Sequence, residues 1–110
     1  MKLWQCSLIN RTPKPTDDPA YLEWIATQPC IVCGWKAEPH HAGPRGLSQR
    51  SSDREALPFC RRHHRRVGLG GGPDSVHVLG KRFWQFHGID RIEAIQEHNA
   101  RYEREERKAA

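Results

Sequence analysis

Long apolar runs are missing from this 110-residue chain. No stretch approaches the roughly 18 residues that a membrane-spanning helix requires, so a membrane home is excluded as an expectation. An apolar h-region is missing as well: the first residues, MKLWQCSLINRTPKP, carry none, and the expected compartment is the cytoplasm. In a reducing compartment a disulfide framework is not expected, so the cysteines are read first as metal ligands or redox groups. Hydrophobic residues are scarce at 36%, and the mean hydropathy is -0.84. A domain this small buries proportionally little surface, so its core calls for a supplement such as a structural metal. No internal repeat is present.

Acidic residues are outnumbered, 13 Asp and Glu against 18 Lys and Arg, for a formal charge of +5. The excess favours an anionic partner, and its distribution narrows the place. From Arg45 to Arg66 the arginines are Arg45, Arg50, Arg54, Arg61, Arg62, Arg65 and Arg66, opposed only by Asp53 and Glu55. The positive field is thus centred on the same segment as the histidines.

Residues 1–16, with Thr12-Pro13 and Lys14-Pro15, read as an extended arm, and 17–110 as a single domain. Asp17-Asp18-Pro19 predicts a helix start, with Leu22, Trp24 and Ile25 facing a core and Pro29 ending the helix. CIVCG has the form of a knuckle, and a short strand or hairpin then carries WKAEPHHA. Residues 43–55, rich in Gly, Ser and Arg, predict an exposed loop. ALPF returns as a second strand, and CRRHHRRV forms one short helix, ended by a flexible GLGGGP loop. Asp74 or Ser75 caps a helix over 76–87 with Val76, Leu79, Phe83 and Trp84 on one face; Gly88 stops it. Asp90 caps a last helix whose Ile92, Ile95 and Tyr102 face inward.

The most specific pattern is Cys30-x2-Cys33, then 26 residues, then Cys60-x2-His63. Both halves have zinc-ligand spacing, and Cys3His completes a tetrahedral Zn2+ shell with no position left for water, which makes the site structural. The rival reading has Cys30 and Cys33 as a redox pair and Cys60 as a core cysteine, but the chain shows no βαβ setting around the CxxC. Cys6 has no partner at ligand spacing. His40, His41 and His64 remain beside the cluster. Neighbours on a strand point to opposite faces, so His40 and His41 suit two roles: one imidazole holding a divalent ion, the other accepting a proton from water. His87 and His98 lack such company, and His77 is intermediate.

YLEWIATQPCIVCG, EPHHAG, SDREALPFCRRHH and FWQFHGID together resemble the HNH endonuclease superfamily, in particular small phage-associated proteins related to the Ref and Rap recombination nucleases. The resemblance covers residues 21–90. It implies an α+β, ββα-metal fold with one helix before and two after. It further implies a metal-dependent DNA endonuclease of phage recombination or DNA processing, in which His40 and His64 hold a catalytic divalent metal such as Mg2+ and His41 is the general base. Asp53, or else Glu55, stands where relatives have the middle Asn. Many relatives place another ligand histidine where this chain has Gly68. Either the glycine loop is an insertion that moves this ligand to His77, or the site keeps two protein ligands. Arg45, Arg50, Arg54, Arg61 and Arg65 are the expected DNA contacts, which position a duplex without reading its sequence. The alternative is a non-catalytic zinc-binding nucleic-acid module that keeps the Cys3His site and the arginines.

Overall fold

A computed structural model describes residues 17–43 and 52–109, so the arm, Cys6, Arg45 and Arg50 lie outside the described residues. Helix α1 (Pro19–Ala26) starts where the sequence predicts. The Asp18 carboxylate accepts the Tyr21 N–H at 3.2 Å, and Pro19 occupies the first turn, where an N–H would have no helical partner. Tyr21 and Ile25, one turn apart, are the fully buried residues; Leu22 and Trp24 are only half-buried. Tyr102 from the last helix sets its ring edge-on to Tyr21, with centroids 5.0 Å apart, and closes a small second core with Ile25.

The knuckle follows. Gly34 N–H donates to the Cys30 carbonyl and Cys30 N–H to the Trp35 carbonyl, both at 2.8 Å. Strand β1 (Glu38–His41) then pairs antiparallel with β2 (Ala56–Phe59), placing His40 opposite Leu57 and His41 opposite Ala56. Two prolines face each other here, Pro39 and Pro58. The Pro58 carbonyl points away from β1 and accepts the Ile31 N–H at 3.1 Å, so the pair sits at a register site that makes no ladder bonds and the missing N–H groups cost nothing. All of β2 is buried. Between the strands, only the ends of the expected exposed loop are described. At its C-terminal end Ser52 and Glu55 form a reciprocal capping box around a 3-10 turn (Asp53–Glu55), and Asp53 is buried, contrary to the loop reading.

Helix α2 (Arg61–His64) is a single turn, shorter than predicted, because Arg65 turns to an extended backbone with ψ 164°. The glycine segment then folds back onto α2: Gly72 N–H donates to the Arg62 carbonyl at 2.8 Å and Gly71 N–H to the Arg66 carbonyl at 3.0 Å. A Cβ on Gly71 would lie 1.6 Å from the Arg65 carbonyl oxygen, an approach open only to glycine. Gly71→Ala is therefore expected to destabilise the protein by about 3 kcal/mol, as backbone displacement in a close-packed site does, measurable by urea denaturation.

One helix was predicted over 76–87, but there are two, α3 (Val76–Leu79) and α4 (Arg82–His87). Gly80, at φ 59° and ψ −132°, breaks them apart. Ser75 is the cap of α3, accepting the Val78 N–H at 3.3 Å. Despite the break, Val76, Leu79, Phe83 and Trp84 all join the main core with Leu57, Phe59 and Ile95, as their spacing predicts. Asp90 caps helix α5 (Arg91–Ala109), accepting the Glu93 N–H at 3.0 Å. Ile95, His98 and Tyr102 form its buried stripe, but Ile92 is 60% exposed because the first turn overhangs a cleft beside Trp84 instead of the core. The result is a small mixed helix-and-strand fold around a two-stranded sheet. No helix among the described residues is long and apolar enough to cross a membrane.

Candidate metal centre and active site

The knuckle and the start of α2 bring Cys30, Cys33, Cys60 and His63 together, with their ligand atoms all within 4.8 Å of one another. Cys33 Sγ lies 3.5 Å from Cys60 Sγ, and His63 Nδ1 lies 3.2 Å from Cys60 Sγ and 3.9 Å from Cys30 Sγ. Vertices of a tetrahedral thiolate and imidazole site stand about 3.5 to 3.8 Å apart, so the set fits one structural metal ion. All three cysteines are free thiols. Burial disfavours the Cys30 thiolate, but backbone hydrogen bonds from Cys60, Cys33 and Val32 outweigh it and hold the pKa below the ordinary thiol value. Burial, with the neighbouring Cys60 and Cys30 sulfurs, pushes Cys33 up to about 11. The other nitrogen of His63, Nε2, faces Asp74 Oδ2 at 3.4 Å, and His87 Nε2 lies 2.9 Å from the Asp74 carbonyl. A carboxylate behind a ligand histidine orients the ring and raises its basicity. The sequence reading considered Asp74 only as a helix cap; its approach to His63 has no signature in residue spacing.

On the other side of α2, His40 from β1, His64 from α2 and His77 from α3 converge, again with ligand nitrogens within 4.8 Å of one another. Their ring centroids are 5.1 Å (His40 to His64), 5.1 Å (His64 to His77) and 5.6 Å (His40 to His77) apart. His77 thus stands beside the two histidines singled out with it in the sequence. Gly68 stays exposed in the loop, and the folded-back glycine segment carries the chain to α3. Behind His64, Glu38 Oε1 stands 3.3 Å from Nδ1, while Arg65 donates to both Glu38 oxygens at 2.8 Å. The Arg65 hydrogen bond, with a smaller contribution from His64, holds Glu38 below the usual carboxylate range against the opposing effect of burial. Glu38 was not singled out from sequence, although it lies two residues before His40.

His41 meets Asp53: Nε2 is 2.8 Å from Oδ1, and the second Asp53 oxygen accepts the Asp18 N–H at 2.7 Å. Opposite an ionised carboxylate, which only accepts, Nε2 would carry the ring proton and leave Nδ1 as an acceptor. Asp53 is 3% exposed, and His41 18%. His40, His41, His64 and His77 line one open cleft of about 530 Å³ that Lys81 and Trp84 extend. Glu55, the other residue weighed for the Asp53 position, is spent in the capping box.

The arginines divide. Arg61 is exposed beside Lys36 at the edge of the sheet. Arg65 is engaged by Glu38, and Arg54 is a clasp rather than an open cation: its Nε lies 2.7 Å from Asp18 Oδ2, and its guanidinium stands 5.0 and 4.9 Å from the Tyr21 and Tyr102 ring centroids. Both side chains thus have intramolecular partners and remain partly exposed. Arg54→Ala is expected to cost about 1 to 2 kcal/mol of stability through the lost cation–π and ion-pair contacts, with the salt dependence of any DNA binding unchanged. Thermal melts beside a salt titration check both halves.

Residues 9–69, more than half of the chain, match the family model described as "Protein of unknown function (DUF968)". The chain belongs to this family. The match takes in both halves of the Cys3His cluster, His40, His41, Asp53 and His64, and ends before His77. The uncharacterized protein YdfU of Escherichia coli (strain K12) is 41% identical over 51 residues, which are 43% of this chain and 15% of that relative. The chain thus spans a small part of the curated relative it matches. No solved structure matches it.

Proposed function

We propose that this DUF968 protein is a metal-dependent DNA endonuclease of the HNH, ββα-metal type, hydrolysing phosphodiester bonds. The observation that carries the reading is the placement of a His41–Asp53 pair and a three-histidine cluster in one open cleft, on a strand pair and helix joined by a Cys3His site. The donor sets match two different tasks. Cys30, Cys33, Cys60 and His63 suit a closed Zn2+ site that holds the knuckle to α2. His40, His64 and His77 leave coordination positions for water and phosphate, as a catalytic site requires.

A divalent ion bound to these histidines supplies positive charge to the scissile phosphate and the leaving oxygen. The remaining work falls to the chain. His41 Nδ1 takes a proton from the attacking water, whose oxygen then bonds to phosphorus as the bond to the leaving oxygen breaks. Asp53 holds the His41 ring in the required tautomer and balances the imidazolium that forms. Lys81, which lines the histidine cleft, and the exposed Arg61 would give a bound strand salt-sensitive attraction without sequence readout.

The test is incubation of the purified protein with supercoiled and branched DNA in Mg2+, Mn2+ or no added divalent ion, beside His41→Ala of matched zinc content. Metal-dependent nicking that the variant loses is the expected result. Salt-sensitive binding with no cleavage under any ion would instead identify a non-catalytic zinc-binding nucleic-acid module.

A further inference from the structure

We infer that the cleft between Trp84 and Ile92 is a subsite for an unpaired nucleotide of the strand lying in the histidine cleft, the base stacking on Trp84 and its phosphate meeting Lys81. The inference rests on the nuclease reading and supplies what that reading lacks, a preferred substrate class. Two clefts adjoin on this face. The first, about 530 Å³, contains the histidines; the second, about 340 Å³, is lined by Lys81, Trp84, Asp90, Arg91 and Ile92. Lys81 and Trp84 line both, so a strand leaving the histidines passes directly into the second cleft.

The second cleft has the chemistry of a nucleotide site. Trp84 is half-buried, braced by Phe59 and Phe83 with ring centroids 5.8 and 5.2 Å away, so its indole is held in place while part of it faces the cleft. Ile92 adds an exposed apolar ledge on a helix whose other inward residues, Ile95, His98 and Tyr102, are all buried. Two cations stand on the rim against one carboxylate. Asp90 is engaged as the α5 cap, and Arg91 Nη1 donates to the Ala42 carbonyl at 3.0 Å, tying this rim to the residue that follows His41. An aromatic wall, an apolar ledge and a lysine shared with the reaction cleft suit a base with its phosphate. A base inside a duplex has both faces covered by its neighbours. The subsite therefore selects flapped, branched or single-stranded DNA over plain duplex.

The experiment uses the full chain, zinc-loaded and without added Mg2+ or Mn2+. The probes are a 5′-flap DNA with one 2-aminopurine in its unpaired arm and a fully paired duplex carrying the same base. The wild type is expected to bind the flap about tenfold or more tighter than the duplex and to quench the unpaired 2-aminopurine by stacking. Ile92→Ser should weaken the quench, and Lys81→Gln should lower the slope of log affinity against log salt by about 0.7 on the single-stranded arm. Trp84→Leu should abolish the quench. Because that change also removes packing against Phe59, the exposed Lys81 and Ile92 variants carry the decision.

Equal affinity for flap and duplex with an unquenched probe overturns the subsite, as do variants that change neither readout. In either case, nicking that depends on His41 would leave the nuclease reading standing. Quenching and flap preference without cleavage under any ion would keep the subsite and overturn the nuclease. Absence of binding to either DNA overturns the subsite, while the nicking assay separately decides the nuclease.

Discussion

Removal of metal from the Cys30, Cys33, Cys60 and His63 cluster is expected to unfold the protein. Structural zinc in small domains contributes about 10 to 16 kcal/mol of binding free energy that is also folding free energy. A domain of this size has about 5 to 15 kcal/mol of net stability in total. The location of the cluster makes the loss global. Cys30 and Cys60 belong to the main apolar core, and His63 reaches through Asp74 to the segment that leads into α3. Without the metal, three thiols and an imidazole crowd one another with no shared partner. Excess chelator should therefore release one equivalent of zinc per chain and abolish the cooperative thermal transition, followed by tryptophan fluorescence and far-UV circular dichroism. Cys60→Ser should purify without zinc and unfolded, whereas Cys6→Ser should keep both zinc and the transition. A chelated protein that melts unchanged, or a Cys30–Cys33 disulfide in the active form, would return these cysteines to the redox reading.

The second large effect concerns His41 and Asp53. His41→Ala is expected to lower nicking by about 10² to 10⁴-fold at unchanged zinc content, the range that loss of a positioned base produces. Asp53 separates orientation from charge. Asp53→Asn keeps one oxygen, which can accept the His41 Nε2–H, but sets its NH2 against the Asp18 N–H that the second carboxylate oxygen accepts; with the amide oxygen toward His41 it should retain activity within about tenfold of the wild type. Asp53→Ala removes both acceptors and should fall by about a hundredfold. Single-turnover nicking rates for the three variants, beside DNA binding measured separately, decide the matter. Equal losses for Asn and Ala would mean that the negative charge, rather than the hydrogen-bond geometry, is what Asp53 supplies. An unimpaired His41→Ala would remove the general base from the mechanism altogether.

Much of the scaffold is legible in the residues themselves. Asp18 before Pro19, the CIVCG knuckle, ALPF as the returning strand and Asp90 ahead of α5 are local signals, set by capping, turn and strand chemistry within a few positions. The Cys3His grouping is legible for the same reason: two pairs at ligand spacing each need only one turn of chain to converge. The division of His40 from His41 follows from the alternation of a strand, and the structure sends one ring toward His64 and the other to Asp53. Gly80 was visible as well, but its positive φ depends on how α3 and α4 must each pack on the core, so the helix break was not.

The sequence by itself thus determined the metal-ligand pairs, the strand pair between them and the histidines available to a second site, because each depends on covalent spacing and local backbone preference. Tertiary structure alone decided that His77 joins His40 and His64, that Asp53 is buried against His41, and that Arg54 and Arg65 pair with Asp18 and Glu38. These outcomes depend on contacts between segments distant in the chain. The glycine turn docked on α2 and the tyrosine pair between α1 and α5 arise only when the whole chain packs.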